Sequence, residues 1–94
     1  MIVITYDRRR GILTADGHSG AAPAGQDIVC AAVSTVMDLT AMMMTGRSLE
    51  LECCTGFESL HARGIGCRRI FDRAVMYLET LAQIYPDNVK VVRL

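Results

Sequence analysis

Between Gly17 and Ser34 the chain stops alternating and begins to repeat every three to four residues, and a stretch suited to neither strand nor helix separates the two regimes. Upstream, Ile2 to Tyr6 and Ile12 to Gly17 are short β-branched or alternating runs, joined by the polar turn Arg8-Arg9-Arg10-Gly11. They predict an opening β-hairpin with a solvated turn. Downstream, Asp27 precedes a long apolar-periodic run that reaches Thr45, so Asp27 is the N-cap of a first helix. Gly46 is placed to follow its end as the C′ residue. The loop between, rich in glycine and alanine, carries a histidine at one end and leads into a cysteine at the other.

The same two periods organise the second half. Ser48 to Cys54 alternates, with Leu49, Leu51 and Cys53 on one face and Glu50, Glu52 and Cys54 on the other; Phe57 to Ala62 follows Thr55-Gly56 as the partner of a second hairpin. Gly64 and Gly66 then punctuate the chain before a helix from about Cys67 to Tyr85, with Ile70, Ala74, Tyr77, Leu78, Leu81 and Tyr85 as its core-facing stripe. Pro86 ends that helix, and Val89 to Val92 reads as a last strand. The order ββαββαβ predicts one α+β domain over residues 1–94, two helices packed on a small, largely antiparallel sheet.

Ninety-four residues suffice for a two-layer core, close to the size at which burial alone is marginal, so self-association is an expectation. Met42 to Met44 is read as core or as dimer surface. Ten basic and ten acidic residues cancel, which leaves no net field to hold nucleic acid or an anionic membrane. No run approaches the ~20 apolar residues of a membrane span, and Met1-Ile2-Val3-Ile4 lacks the basic start of a signal peptide. The expectation is a cytoplasmic protein whose four cysteines are reduced.

Cys30 falls in the first turn of the predicted helix, where unpaired N–H groups and the positive end of the helix dipole favour a thiolate nucleophile. Along that helix Asp27, Cys30, Ser34 and Asp38 form one polar or small stripe, whereas Val29, Val33, Val36 and Met43 form another, so Cys30 lies away from the apolar face. An inert half-buried thiol is the bland alternative. His18, just past a strand end, supplies a candidate general base held by the sheet. Asp27 has two competing roles, N-cap near the thiol or orienting partner of His18. Gly17, Ser19, Gly20 and Gly25 bound a loop expected to contact substrate and to act as a lid.

Other chemistries fit less well. His18, Cys30, Cys53, Cys54, His61 and Cys67 include potential zinc ligands, but adjacent cysteines and a single Cys67 do not make C-x-x-C knuckles, so neither metal nor cofactor is expected. The segment also lacks the Lys and Ser/Thr of a phosphate-binding loop; the chain's one lysine is Lys90. His61 reads as a surface or satisfied histidine, and Cys53, Cys54 and Cys67 as small packing residues.

Gly17-His18, a short glycine-bearing loop, then Gly25-Gln26-Asp27-Ile28-Val29-Cys30-Ala31-Ala32-Val33-Ser34 closely resembles the signature of the ribosomal-processing cysteine proteases, the Prp family. The agreement lies in the His-to-Cys spacing, the Asp three residues before the Cys and the Gly two before that Asp. It is strong over residues 17–34 and one of element order elsewhere. The family pattern has Ala after the histidine where this chain has Ser19, and bulkier or acidic residues where it has Ala21, Ala22 and Pro23. The resemblance implies a homodimeric endopeptidase that removes the N-terminal extension of the bacterial large-subunit ribosomal protein numbered twenty-seven, after an aromatic residue. A phage-type protease acting on capsid or scaffold proteins, a non-catalytic dimeric module binding ribosomal protein or RNA, and a small metal-binding protein are the alternatives.

Overall fold

A computed structural model describes residues 1–23, 26–44, 49–54, 56–62 and 64–94. The elements run β1 (Ile2–Asp7), β2 (Ile12–Gly17), α1 (Ile28–Met43), β3 (Leu49–Cys54), β4 (Phe57–Ala62), α2 (Ile65–Ile84) and β5 (Val89–Arg93). They build the expected α+β domain around one five-stranded sheet of order β3-β4-β2-β1-β5. Every neighbouring pair is antiparallel except β1 with β5. A parallel neighbour requires a crossover, and α2 supplies it by carrying the chain from β4 to the opposite edge.

Alternation in β1 sends Ile2, Ile4 and Tyr6 to one face, where the register sets Ile4 beside Ala15 and Tyr6 beside Leu13. Leu60 and Ala62 of β4 complete that face. Val29, Val33, Met37 and Thr40 of α1, at steps of four and three, are buried with it. Thr40 enters this apolar setting because its hydroxyl donates to the Val36 carbonyl at 2.6 Å. From α2 the core takes Cys67, Phe71, Val75, Leu78 and Leu81, with the Phe71 ring edge-on to Tyr6 at 6.2 Å.

Three details of the helices differ from expectation. The buried stripe of α2 includes Phe71 and Val75, while Tyr77 is 53 % exposed. Apolar residues occupy more than one face of this helix, and periodicity alone does not say which of them meets the sheet. Helix α2 also starts at Ile65, so Gly66 lies within its first turn and Gly64 is an N-cap without a side-chain bond. Burial of Cys67 and Phe71 outweighs the weak helix propensity of one glycine at the end. Helix α1 stops at Met43 with Met44 as its cap; Gly46 is outside the described residues. The methionine run divides, Met44 buried and Met42 and Met43 exposed.

At one end of the sheet the Arg8–Arg10 turn is solvated as expected, with Arg8 paired to Asp72 at 3.0 Å and Arg10 to Asp7 at 3.7 Å. The Tyr6 hydroxyl donates to the same Asp72 at 2.7 Å. The opposite end, where β2 finishes at Gly17 and β4 starts at Phe57, lies under the first turns of α1.

Candidate active site

Because β2 and β4 are antiparallel neighbours, with Asp16 opposite Phe57, the end of one meets the start of the other. The Gly17 N–H donates to the Gly56 carbonyl at 2.7 Å and closes the pair. His18 follows at once and lies over Gly56. A Cβ there would come within 2.7 Å of His18 Nε2, and the φ of +77° is one that side chains resist, so a side chain at 56 would push the imidazole aside.

Asp27 caps α1 as predicted, its Oδ1 accepting the Cys30 N–H at 2.9 Å. Its Oδ2 accepts the Ser19 hydroxyl. The Ser19 hydroxyl, then the Cys30 N–H, hold the Asp27 carboxyl down at about pKa 2. The Cys30 side chain adds to the same lowering, so the Asp27 charge is shared among Ser19 and both the backbone and side chain of Cys30. Among the described residues no hydrogen bond joins Asp27 to His18; one carboxylate oxygen makes the N-cap bond and the other takes the Ser19 hydroxyl.

Cys30 is half-buried on the first turn of α1, and its Sγ accepts the Ser19 N–H at 3.3 Å. Ser19 is itself 2 % exposed. Its hydroxyl also accepts the Ala21 N–H at 3.1 Å, and its carbonyl accepts Nδ2 of Asn88 at 2.9 Å. The loop is thus anchored at Ser19, a restraint that its composition conceals. Gly17 ends β2, Gly20 is exposed with open space around it, and Gly25 is outside the described residues.

Two clefts meet at this point. One, about 280 Å³, lies between the sheet and α1 beside Ile2, Gly17, Phe57 and Glu58. The other, about 600 Å³, opens beside Gly20, Ala22 and Asp27. His18, Cys30 and Ser34 line both, so imidazole and thiol stand where the two clefts join. A chain lying across both would present a carbonyl to the sulfur with residues on either side accommodated. The remaining cysteine with a described side chain, Cys67, is buried in the core of α2, and the side chains of Cys53 and Cys54 are outside the described residues.

Glu58 and Asp38 share the smaller cleft. Burial, reinforced by the charge and hydrogen bond of Asp38, pushes the Glu58 carboxyl up to about 7. A folded-state pKa above the unfolded value means that the folded protein binds more protons, so stability falls as pH rises from about 4.5 to about 7 and then levels. Asp38→Asn removes one charge and leaves the burial, so the fall between those pH values should shrink without vanishing. Thermal melting of both proteins at intervals of about one pH unit, from about 4.5 to about 8, checks this; identical slopes would contradict it.

The family model for the cysteine protease Prp matches residues 1–90. The chain belongs to the cysteine protease Prp family. It is accordingly a cysteine protease, and the thiol and imidazole at the junction of the clefts are consistent with that membership. The fold agrees with two crystal structures of an essential ribosomal processing protease Prp from S. aureus. One, with a covalently linked product peptide, has a TM-score of 0.87 at 19 % identity, and one with a substrate peptide 0.82 at 18 %, each pairing covering 100 % of both chains. SMU.848 from Streptococcus mutans has a TM-score of 0.69 at 23 % identity over 99 % of this chain and 91 % of that one. No match is found among curated proteins.

Gly56, Glu58 and Asn88 were missed by sequence reasoning. Gly56 looked like an ordinary turn residue, and only the pairing of β2 with β4, which are not consecutive in the chain, puts it under His18. Asn88 reaches Ser19 from 69 residues away, and no local pattern signals that.

Proposed function

We propose that this Prp family member removes the N-terminal extension of the bacterial large-subunit ribosomal protein numbered twenty-seven, with Cys30 as nucleophile and His18 as general base and acid. The observation that carries the assignment is the position of Cys30 Sγ. It sits in the first turn of α1, faces the Ser19 N–H at 3.3 Å, and lines both clefts together with His18. The peptide-bound S. aureus relatives support a peptide substrate.

In the reaction His18 takes the thiol proton and the thiolate forms a C–S bond to the scissile carbonyl carbon. The imidazolium then returns the proton to the nitrogen as the C–N bond breaks, releasing the amine product. Water, deprotonated by His18, attacks the thioester carbonyl and expels the Cys30 sulfur. Backbone N–H groups at the start of α1 and of the Gly20 loop are the candidates for holding the transient oxyanion. Asp27 acts by position, fixing the helix start and Ser19 together.

We assign the protein to the cytoplasm as a homodimer. The exposed Leu39, Met43 and Tyr77 on the two helices offer an apolar face away from the clefts. The purified protein should cut a peptide spanning the ribosomal-protein extension once, on the carboxyl side of an aromatic residue, as read by mass spectrometry. An intact peptide under conditions where the folded protein cleaves another sequence would discard this substrate and keep the protease.

A further inference from the structure

We propose that Asn88 is a positioning residue for Cys30, acting through Ser19, an inference that rests on Cys30 being the nucleophile. Asn88 lies in the turn between α2 and β5. Its backbone is fixed on both sides, since its N–H donates to the Tyr85 carbonyl at 3.0 Å and its carbonyl accepts the Ile2 N–H at 2.8 Å. A side chain rising from so restrained a backbone is pre-organised, and its Nδ2 donates to the Ser19 carbonyl at 2.9 Å.

Ser19 has every polar group engaged. The carbonyl is held by Asn88, the hydroxyl by Asp27 and by the Ala21 N–H, and the one remaining donor, its N–H, points at Cys30 Sγ. Among the described residues Ser19 and Thr40 are the buried polar ones, and Thr40 satisfies itself within its own helix. Ser19 instead spans three segments, the strand end, the helix start and the β5 turn. A sulfur carrying negative charge accepts an N–H far better than a neutral thiol does, so a correctly aimed N–H selects the reactive form. Aim requires both ends of Ser19 to be held. Asp27 holds the side chain, and Asn88 holds the carbonyl that would otherwise turn with the loop. Asn88 lines neither cleft, so it acts on the nucleophile and not on substrate binding.

The test uses Asn88→Asp, which keeps the size and presents an acceptor to the Ser19 carbonyl, and Asn88→Ala. Peptide cleavage and alkylation of Cys30 by iodoacetamide, read by mass spectrometry of the Cys30 peptide, are compared with wild type. A charge-assisted hydrogen bond of this kind predicts a fall of about tenfold in kcat, with KM unchanged, and about tenfold slower Cys30 alkylation near neutral pH. Alkylation should recover to the wild-type rate at about pH 10, where a thiol ionises without help. A loss caused by general loosening would not be restored by pH. Wild-type kcat and alkylation in a folded Asn88→Asp protein would overturn the proposal. If neither variant folds, wild-type protein decides by NMR: the Asn88 side-chain amide should shift together with the Ser19 amide when Cys30 ionises, and an Asn88 signal that stays fixed rejects the coupling. Cleavage retained by Cys30→Ala would instead remove the nucleophile reading, whatever the Asn88 result.

Discussion

Cys30→Ala is expected to abolish peptide cleavage, lowering kcat/KM by at least about 10³-fold, while the protein stays folded. The separation of activity from folding follows from where the side chain sits. The Asp27 cap is made to the backbone N–H of Cys30 and survives the change, and the sulfur is half-buried at the edge of the core rather than inside it. Truncation should therefore cost no more than about 1 kcal/mol, the ordinary size of a substitution that opens no large cavity. Cys30→Ser keeps the shape but not the nucleophile, because a hydroxyl in the same place is far less ionised. Cys67 is 4 % exposed within α2 and offers no substitute thiol. Hydrolysis of the extension peptide, followed beside thermal melting, checks the expectation. A folded variant that cleaves at the wild-type rate would end the assignment.

The parts of this site that were legible in the sequence are those encoded locally. Asp27 followed by an apolar-periodic run announces a helix start, and the N-cap bond to the Cys30 N–H is made as that pattern requires. Alternation in Ile12 to Gly17 gave a strand whose observed bounds are the expected ones, and hence placed His18 just beyond it. What was not legible depends on segments meeting across the chain. Nothing near residue 56 reveals that β4 lies beside β2, and nothing near Asn88 reveals that its turn abuts the loop. The misplacement of Tyr77 within an α2 stripe whose Ala74, Leu78 and Leu81 are buried as expected has the same origin, since Tyr77 and Val75 are both apolar and only the tertiary arrangement decides that Val75 enters the core. Ser19 is the instructive case. Its loop is rich in small residues and looks unanchored, yet hydrogen bonds to partners from two other stretches of chain, the start of α1 and the turn before β5, fix this one residue.

His18→Ala is the second large effect, an expected loss of at least about 10²-fold in cleavage, the usual consequence of removing a general base that also serves as the acid. The imidazole reaches its place without a hydrogen-bonding carboxylate from Asp27, whose oxygens are taken by Ser19 and Cys30. Its orientation instead comes from the end of β2 and from the bare backbone of Gly56 beneath it. Removing the ring leaves that backbone platform and the Ser19 anchor intact, so the protein should melt as wild type does. With no imidazole to take its proton, the thiol must lose it to solvent, and residual cleavage should therefore rise with pH. Alkylation of Cys30 near neutral pH should slow together with cleavage if the two side chains act as a pair. Added imidazole, small enough to enter a cleft of about 600 Å³, should restore part of the activity in proportion to its concentration. Full activity in His18→Ala, or cleavage and alkylation that respond independently, would assign the proton transfer to another group.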